Sequence, residues 1–378
     1  MKKFIKVFFL FIFILLAICT GYAIISGKTY LFKAVWYNFA GINDYKIFSN
    51  DTVHTSLAQP WALSGNYNKI NAPHDLDSLL KELRTIAVVV IKNDSLLYEK
   101  YWDGYSDSSW SGSFSIAKSI TSLLVGAAIK EGKIKSVDEL VSNYLPEFNE
   151  GLAAKLKIKD LLTMSSGSNW DEAYANPLSV TTEAYYGSNL EKTAMGVKIK
   201  KEPGTYQDYK SGDTELLGLI VEKVTGKSLS QYASEKLWQP LGAEHPALWS
   251  KDSKNGVNKA FCCFNSNARD FARIGQLMVD SGRWKGNAII DLNYYVQSVT
   301  PCKIPEPSGL PCVDYGYQWW ISPSDSHIFY ARGILGQYII VIPSKKVVIV
   351  RLGHKRSDLR VNGLREEVNS LINWGLSL

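Results

Sequence analysis

A long apolar stretch in the body of the chain covers residues 114–131, with the sequence FSIAKSITSLLVGAAIKE. Residues 120–129 are all apolar or small, which is typical of a helix that is buried on every side. Ser115 and Lys118 share one face of its first turn, because they are three residues apart. A lysine in apolar surroundings is costly unless it has a partner. The pattern therefore predicts a buried helix whose first turn presents an activated hydroxyl.

The remaining pattern places strands at both ends of the main domain and helices between them. Residues 85–91 and 95–101 read as two strands joined by a turn at Asn93-Asp94, after an amphipathic helix at 75–84. Helical periodicity dominates from 136 to 290, with helices expected at 137–144, 158–163, 213–224 and 268–281. Strands follow at 317–322, 327–332, 337–342 and 346–352, before a final helix at 359–376. This order predicts an α/β (α+β) fold, with one mostly antiparallel sheet flanked by helices and a helical insertion at about 136–290.

The N-terminal segment, residues 1–28, predicts export. MKKFIK precedes an apolar run without charge until Lys28, which is long enough to span a bilayer. Three readings stay open: an uncleaved anchor, a signal peptide cleaved near Ala23, and a lipoprotein signal at Cys19. Each leaves the lysines in the cytoplasm and the body of the protein outside it. We therefore expect a bacterial cell-envelope protein, either anchored with a periplasmic domain or secreted.

Composition excludes several classes of protein and of site. Of the formal charge of +6, +4 comes from Lys2, Lys3, Lys6 and Lys28, so nucleic-acid binding has no support. The histidines are scattered and no C-x-x-C occurs, so we expect no metal site. Residues 29–72 read as an aromatic, irregular connector on the surface of the main domain, which covers 73–378.

The five cysteines leave their pairing open. Cys302 and Cys312 flank a proline-rich loop and are candidates for a disulfide. Cys262 and Cys263 are adjacent, and each of them either pairs elsewhere or remains a free thiol.

The Ser-x-x-Lys spacing occurs twice, and its context separates the two cases. Ser78 and Lys81 fall on the polar face of an amphipathic helix, and nothing downstream complements them. Ser115 and Lys118 enter the buried helix directly after a strand hairpin. A Ser-His-Asp triad has little support, since the chain lacks a G-x-S-x-G elbow and no histidine has an obvious partner.

Further motifs follow in a fixed order over roughly residues 85–352. They are LLTMSSG at 161–167, WD at 170–171, PGTYQDYKSGD at 203–213, PLG at 240–242, ARDFARIG at 268–275, GYQWW at 316–320 and GILGQ at 333–337. Together with Ser115 and Lys118, they make the chain resemble the serine beta-lactamase and penicillin-binding-protein superfamily in its class C, peptidase S12-like branch. Within that branch the chain is most similar to 6-aminohexanoate-dimer hydrolase and esterase-like members. The resemblance implies a beta-lactamase/transpeptidase-like fold.

The resemblance assigns the second and third motifs of that family. The second, Tyr-x-Asn or Tyr-x-Ser, falls on Tyr209 and Ser211, and Tyr206 fits it less well. The third, Lys-Thr-Gly or His-x-Gly, falls on residues 331–333, where Ala331 replaces the usual cation. Arg332 lies next to it, but adjacent strand residues point to opposite faces. Loss of this cation weakens the expectation of beta-lactamase or carboxypeptidase activity.

The resemblance also implies a mechanism. Ser115 is the nucleophile, neutral Lys118 accepts its proton, and Tyr209 relays a proton to the leaving group. The backbone amides of Ser115 and Ile334 form the oxyanion hole, and Gly333 permits the close approach that this requires.

The same resemblance implies supporting residues and a substrate class. Ser211 orients the proton network, and Trp170, Asp171 and Trp320 are candidate pocket walls. We therefore expect an exported serine hydrolase of small-molecule or short-peptide amides or esters that needs no cofactor. Two alternatives are a catalytically silent homologue that binds peptidoglycan or a partner, and a true class C-type beta-lactamase or D-amino peptidase.

Overall fold

The computed structural model describes residues 2–378, and a seven-stranded sheet lies at its centre. The helices are α1 (Lys2–Ile25), α2 (Tyr30–Tyr37), α3 (His74–Glu82), α4 (Ile116–Lys130), α5 (Ile158–Leu162), α6 (Val180–Tyr186), α7 (Leu190–Met195), α8 (Ser211–Thr225), α9 (Leu229–Ala233), α10 (Ala268–Val279), α11 (Leu292–Ser298) and α12 (Glu366–Ser377). The first strands are β1 (Ser49–Val53), β2 (Ala62–Leu63), β3 (Thr85–Lys92), β4 (Ser95–Tyr101), β5 (Ser111–Gly112), β6 (Ala247–Lys251) and β7 (Phe264–Ser266). The remaining strands are β8 (Arg283–Trp284), β9 (Asn287–Ala288), β10 (Trp320–Ile321), β11 (Phe329–Gly333), β12 (Gln337–Ile342), β13 (Val347–Gly353), β14 (Arg360–Val361) and β15 (Leu364–Arg365).

The central sheet has the order β10-β11-β12-β13-β3-β4-β2, and only β2 pairs in parallel. The prediction of a mostly antiparallel sheet is therefore confirmed, although a second sheet of four strands accompanies it. Its middle strands are runs of valine and isoleucine, because both of their faces are covered. Val89 and Val350 belong to the core that contains α4 and α10, whereas Val90 and Ile349 belong to the core beneath α3 and α12.

The predicted buried helix is confirmed as α4. Ser115 is its N-cap, and every residue from Ile116 to Ala128 is buried. Lys118 is 1 % exposed, so the expectation that it lies within the core is also confirmed. The helix packs between α8 and the strands β11 and β12, which brings three distant parts of the chain to its first turn.

Within the insertion, α5, α8 and α10 confirm three of the four predicted helices. The prediction at 137–144 is wrong: Leu140 is extended and bridges to Lys157, which leaves only a short 3-10 turn at Val141–Asn143. The final helix begins at Glu366 rather than 359, because a turn at Asn362-Gly363 folds the preceding residues into the hairpin β14–β15.

The insertion and the connector also hold strands that the periodicity does not reveal. β6 and β7 form a second sheet with β5 and with β1, in the order β1-β6-β7-β5. β1 comes from the connector at 29–72, and β2 from the same segment extends the central sheet. The connector is therefore partly built into the sheets and is not merely surface packing.

The N-terminal helix α1 is long and apolar enough to cross a membrane, with a mean hydropathy of 2.7 over its most apolar window. Ala23 is its one buried residue. The short helix α2 follows and docks on α6, where Tyr30 and Ala34 pack against Tyr186.

The cysteines correct two expectations. Cys262 and Cys263 form a disulfide with each other, which neither expected alternative included. The candidate pair Cys302 and Cys312 remains unbonded. Within residues 2–378, one group of metal-ligand type converges, formed by Glu306, Cys312 and Asp314, and there the Cys312 thiol donates to Asp314 Oδ1 over 3.6 Å.

Candidate active site

The site is built around the first turn of α4. Ser115 caps this helix and remains partly exposed, whereas Phe114 before it is buried and has a φ of +47°. A left-handed backbone is unusual for a bulky side chain and is typical of functional sites. The sharp turn brings the Ser115 hydroxyl to the protein surface while the rest of the helix stays in the core.

Lys118 reaches back to Ser115 and fills all of its hydrogen-bonding positions. Its Nζ lies 3.1 Å from Ser115 Oγ, 3.0 Å from Ser211 Oγ and 2.8 Å from the carbonyl oxygen of Phe261. These partners offset the cost of burying the amine. The spacing of Ser115 and Lys118 predicted their contact, and the structure brings them together.

Ser211 joins Lys118 to a carboxylate that the sequence motifs do not identify. Its hydroxyl donates to Glu172 Oε1 over 2.6 Å, and its backbone N–H donates to Glu172 Oε2 over 2.7 Å. Tyr174 also donates to Glu172 through its hydroxyl. Glu172 lies 39 residues from Ser211 in a loop without regular periodicity, so its position two residues after Trp170 was the one available signal.

The aromatic face of Tyr209 lies beside the Lys118 amine. Lys118 Nζ is 5.2 Å from the centre of the Tyr209 ring, and the ring stacks on Trp320 with centroids 5.7 Å apart. The Tyr209 hydroxyl makes no hydrogen bond within residues 2–378. Tyr206, the competing assignment, is exposed and contacts Lys201 instead, so the structure places Tyr209 at the site.

The third-motif strand, β11, closes the other side of the site. Gly333 packs so closely on the turn before Ser115 that a Cβ would lie 2.2 Å from the Ser113 carbonyl oxygen. The backbone amides of Ser115 and Ile334 donate to no carbonyl among the described residues. Two free amides at this junction form an arrangement able to bind an oxyanion.

No cation replaces Ala331 at its own position. Ala331 is fully buried in the core that contains α4. Arg332 points the other way, and its guanidinium carbon lies 3.5 Å from the centre of the Trp320 ring, which stacks on Tyr209. The positive charge therefore lies at the outer edge of the aromatic wall.

Trp170 and Asp171 are placed differently from Trp320. Trp170 is buried beneath Gly212 and donates its indole N–H to Thr181, so it supports the start of α8 from below. Asp171 is exposed, and its carboxylate accepts the Ala173 amide, 3.0 Å away. Of these three aromatic and acidic residues, Trp320 is the one whose side chain contacts Tyr209.

Three ionisable groups with shifted pKa values are buried near the start of α8 and in the loop before β7. Burial raises the pKa of Asp213 to about 8, although Ser166 donates to its Oδ1 over 2.6 Å. Burial likewise raises the pKa of Glu215 to about 8 and lowers the pKa of Lys259 to about 8. Glu215 accepts the Ala260 amide, and this bond helps to fix the loop whose carbonyl holds Lys118.

Comparison with known proteins places this geometry in context. The family model described as Beta-lactamase matches residues 76–369. The chain is 28 % identical over 295 residues to the 6-aminohexanoate-dimer hydrolase of Paenarthrobacter ureafaciens, a match that covers 74 % of each protein.

Two solved structures show the same fold. The structure named "Putative 6-aminohexanoate-dimer hydrolase from Bacillus anthracis" aligns with a TM-score of 0.75 and 23 % identity, over 89 % of this chain and 92 % of that one. An octameric penicillin-binding protein homologue from Pyrococcus abyssi aligns with a TM-score of 0.60 and 21 % identity, over 80 % and 76 %.

Proposed function

The chain belongs to the Beta-lactamase family and is a hydrolase of that family, and from this premise we propose that it is an exported serine hydrolase. It cleaves amide or ester bonds through an acyl-enzyme on Ser115. The contact of Lys118 Nζ with Ser115 Oγ at 3.1 Å, inside a buried network, is the observation that carries this proposal. A hydroxyl beside a buried amine is the arrangement that an activated serine requires.

Two of the three hydrogen-bonding positions of the Lys118 amine go to Ser211 and Phe261. The only proton of the Ser211 hydroxyl goes to Glu172, so Ser211 must accept from Lys118. The Phe261 carbonyl can also only accept. Two N–H bonds are thus committed, and the third position of the amine faces the Ser115 hydroxyl. Lys118 therefore takes the Ser115 proton as Oγ attacks the substrate carbonyl.

The tetrahedral intermediate is stabilised by the amides of Ser115 and Ile334. Each oxyanion donor of this kind contributes roughly 3 kcal/mol. Gly333 supports this role, because its lack of a side chain allows β11 to contact the Ser113 carbonyl. Tyr209 relays the proton from Lys118 to the leaving group, since its hydroxyl has no competing partner within residues 2–378 and its ring contacts the amine. Water then enters by the reverse route and releases the acyl group.

The substrate is a small-molecule or short-peptide amide or ester. The Paenarthrobacter ureafaciens relative is named for hydrolysis of an amide dimer, which favours this class over beta-lactams. The buried Ala331 argues in the same direction, because the usual cation of that position is missing. The N-terminal helix α1 supports a catalytic domain outside the cytoplasm, either anchored or released after cleavage.

Activity screening combined with labelling tests the proposal. The purified chain is offered p-nitrophenyl esters, D-amino peptides, short amide oligomers and nitrocefin, and is labelled with a fluorophosphonate. We expect turnover and labelling that disappear in Ser115→Ala and persist in Ser78→Ala, the matched variant at the second Ser-x-x-Lys. Absence of Ser115-dependent turnover and labelling would contradict the enzyme proposal and favour a silent binding protein, and rapid nitrocefin hydrolysis would favour a true beta-lactamase.

A further inference from the structure

The helix α2 has one face that the domain covers and one that it leaves open. Tyr30 and Ala34 are buried against α6. On the other side, Phe32, Val35 and Trp36 follow the i, i+3, i+4 spacing of a single helix face. They are 46 %, 77 % and 82 % exposed. Phe39, directly beyond the helix, is 78 % exposed and extends the same apolar region.

This open face continues the apolar surface of α1. The last residues of α1, Ile24 and Ile25, are 60 % and 90 % exposed, and α2 begins at Tyr30, five residues later. A bilayer that contained α1 would therefore reach α2 within the length of one short link. Large aromatic residues next to the end of a membrane span are typical of the membrane–water interface. Continuity with α1 thus points to lipid as the occupant of the open face.

Basic residues border the open face where lipid headgroups would lie. Lys28 and Lys33 flank the start of α2 and, together with Lys192, line a cavity of about 560 Å³ between the α1–α2 link and the helices α6 and α7. Glu183 is the one acidic residue that lines it. A polar rim with excess positive charge beside an apolar face is the pattern of an amphipathic helix that lies in the interface of an anionic membrane.

We propose that α2 lies in the plane of the bilayer surface, with Phe32, Val35, Trp36 and Phe39 inserted among the lipids and the lysines among their headgroups. The docking of Tyr30 and Ala34 on α6 then fixes how the whole catalytic domain faces the membrane. The contact also lies near the site, because Thr181 of α6 accepts the indole N–H of Trp170.

Quenching of tryptophan fluorescence by brominated lipids tests this placement. The full chain is synthesised without cells in the presence of liposomes, so that no signal peptidase acts on it. The liposomes contain phosphatidylcholine and phosphatidylglycerol, with or without bromine on the acyl chains near the headgroup. Trp36 is the first tryptophan of the chain and Trp61 is the next, so α1 contributes no signal. Trp36→Phe is compared with Trp102→Phe, a control at a half-buried tryptophan that packs against the core beneath α3 and α12.

We expect brominated lipid to quench the wild type and Trp102→Phe equally, and to leave Trp36→Phe at the level of unbrominated liposomes. Equal quenching of wild type and Trp36→Phe would overturn the proposal, because other tryptophans would then carry the contact. Absence of quenching in the wild type would also overturn the proposal, and a dimer on sizing in detergent would then assign the open face to a second copy of the chain. Neither result bears on hydrolysis by Ser115, which is measured separately.

Discussion

Replacing Glu172 with glutamine removes the acceptor that fixes the direction of the proton network. In the wild type one carboxylate accepts both the hydroxyl and the backbone N–H of Ser211, at 2.6 and 2.7 Å. A glutamine keeps one carbonyl oxygen, so only one of these bonds survives. The Ser211 hydroxyl is then free to turn its proton toward Lys118, where it competes with the Ser115 hydroxyl for the amine.

The size of the effect follows from the bond that is lost. A hydrogen bond to a charged acceptor contributes about 1.5–3 kcal/mol. If this stabilisation is needed in the transition state, kcat falls by roughly 10- to 150-fold, since about 1.4 kcal/mol corresponds to a factor of ten. KM should change little, because Glu172 acts on the catalytic groups through Ser211. Glu172→Ala removes both bonds and should also lower the stability of the fold, because the Ser211 amide is buried.

The assay is kcat and KM across pH on the best substrate from the activity screen. Loss of a hydrogen bond between Ser211 and Glu172 should lower kcat at the plateau of its pH profile. Asp171→Asn is the matched control, since it removes the neighbouring carboxylate, which is exposed and bonds only to the Ala173 amide. A wild-type plateau in Glu172→Gln, or an equal loss in Asp171→Asn, would show that Glu172 does not fix the proton network.

Two further predictions concern the strand and the buried charges. Gly333→Ala should reduce kcat by at least about 100-fold, because its Cβ would lie 2.2 Å from the Ser113 carbonyl oxygen and push Ile334 away from the oxyanion. The circular dichroism spectrum should not change. A wild-type kcat would contradict this prediction. The raised pKa of Asp213 means that the folded state holds a proton that the unfolded state loses, so stability is lost as pH rises from about 4 to 8. This decline in the free energy of unfolding is at most about 1.4 kcal/mol per pH unit, and Asp213→Asn should lack it when unfolding by urea is measured across pH. The same slope against pH in wild type and Asp213→Asn would contradict this.

The local pattern predicted those parts of the fold whose neighbours along the chain decide their structure. The helix α4 is apolar on every side, and the strands β3, β12 and β13 are β-branched runs, so their burial follows from their composition. The contact between Ser115 and Lys118 could be predicted in the same way, because a spacing of three residues along one helix places both side chains on the same face. The Asn362-Gly363 pair is typical of a hairpin turn, but the helical periodicity of the residues around it favoured a continuous helix over the hairpin β14–β15.

Long-range pairing could not be read in this way. β1 is a polar strand in the connector, and its partner β6 lies about 200 residues later. Glu172 reaches Ser211 from an irregular loop, and no spacing rule links them. Asp171, the neighbouring carboxylate, was selected with Trp170 by motif, yet a shift of one residue decides which acid enters the network. The bond between Cys262 and Cys263 likewise depends on the backbone of one loop.

The most direct test of the account is the mass of the trapped acyl-enzyme. The chain is mixed with a turned-over p-nitrophenyl ester, quenched with acid during the burst of nitrophenol, digested and examined by mass spectrometry. We expect one acyl group on the peptide that contains Ser115, in wild type and in Ser78→Ala, and none in Ser115→Ala. An acyl group on another residue, or turnover that continues in Ser115→Ala, would contradict it.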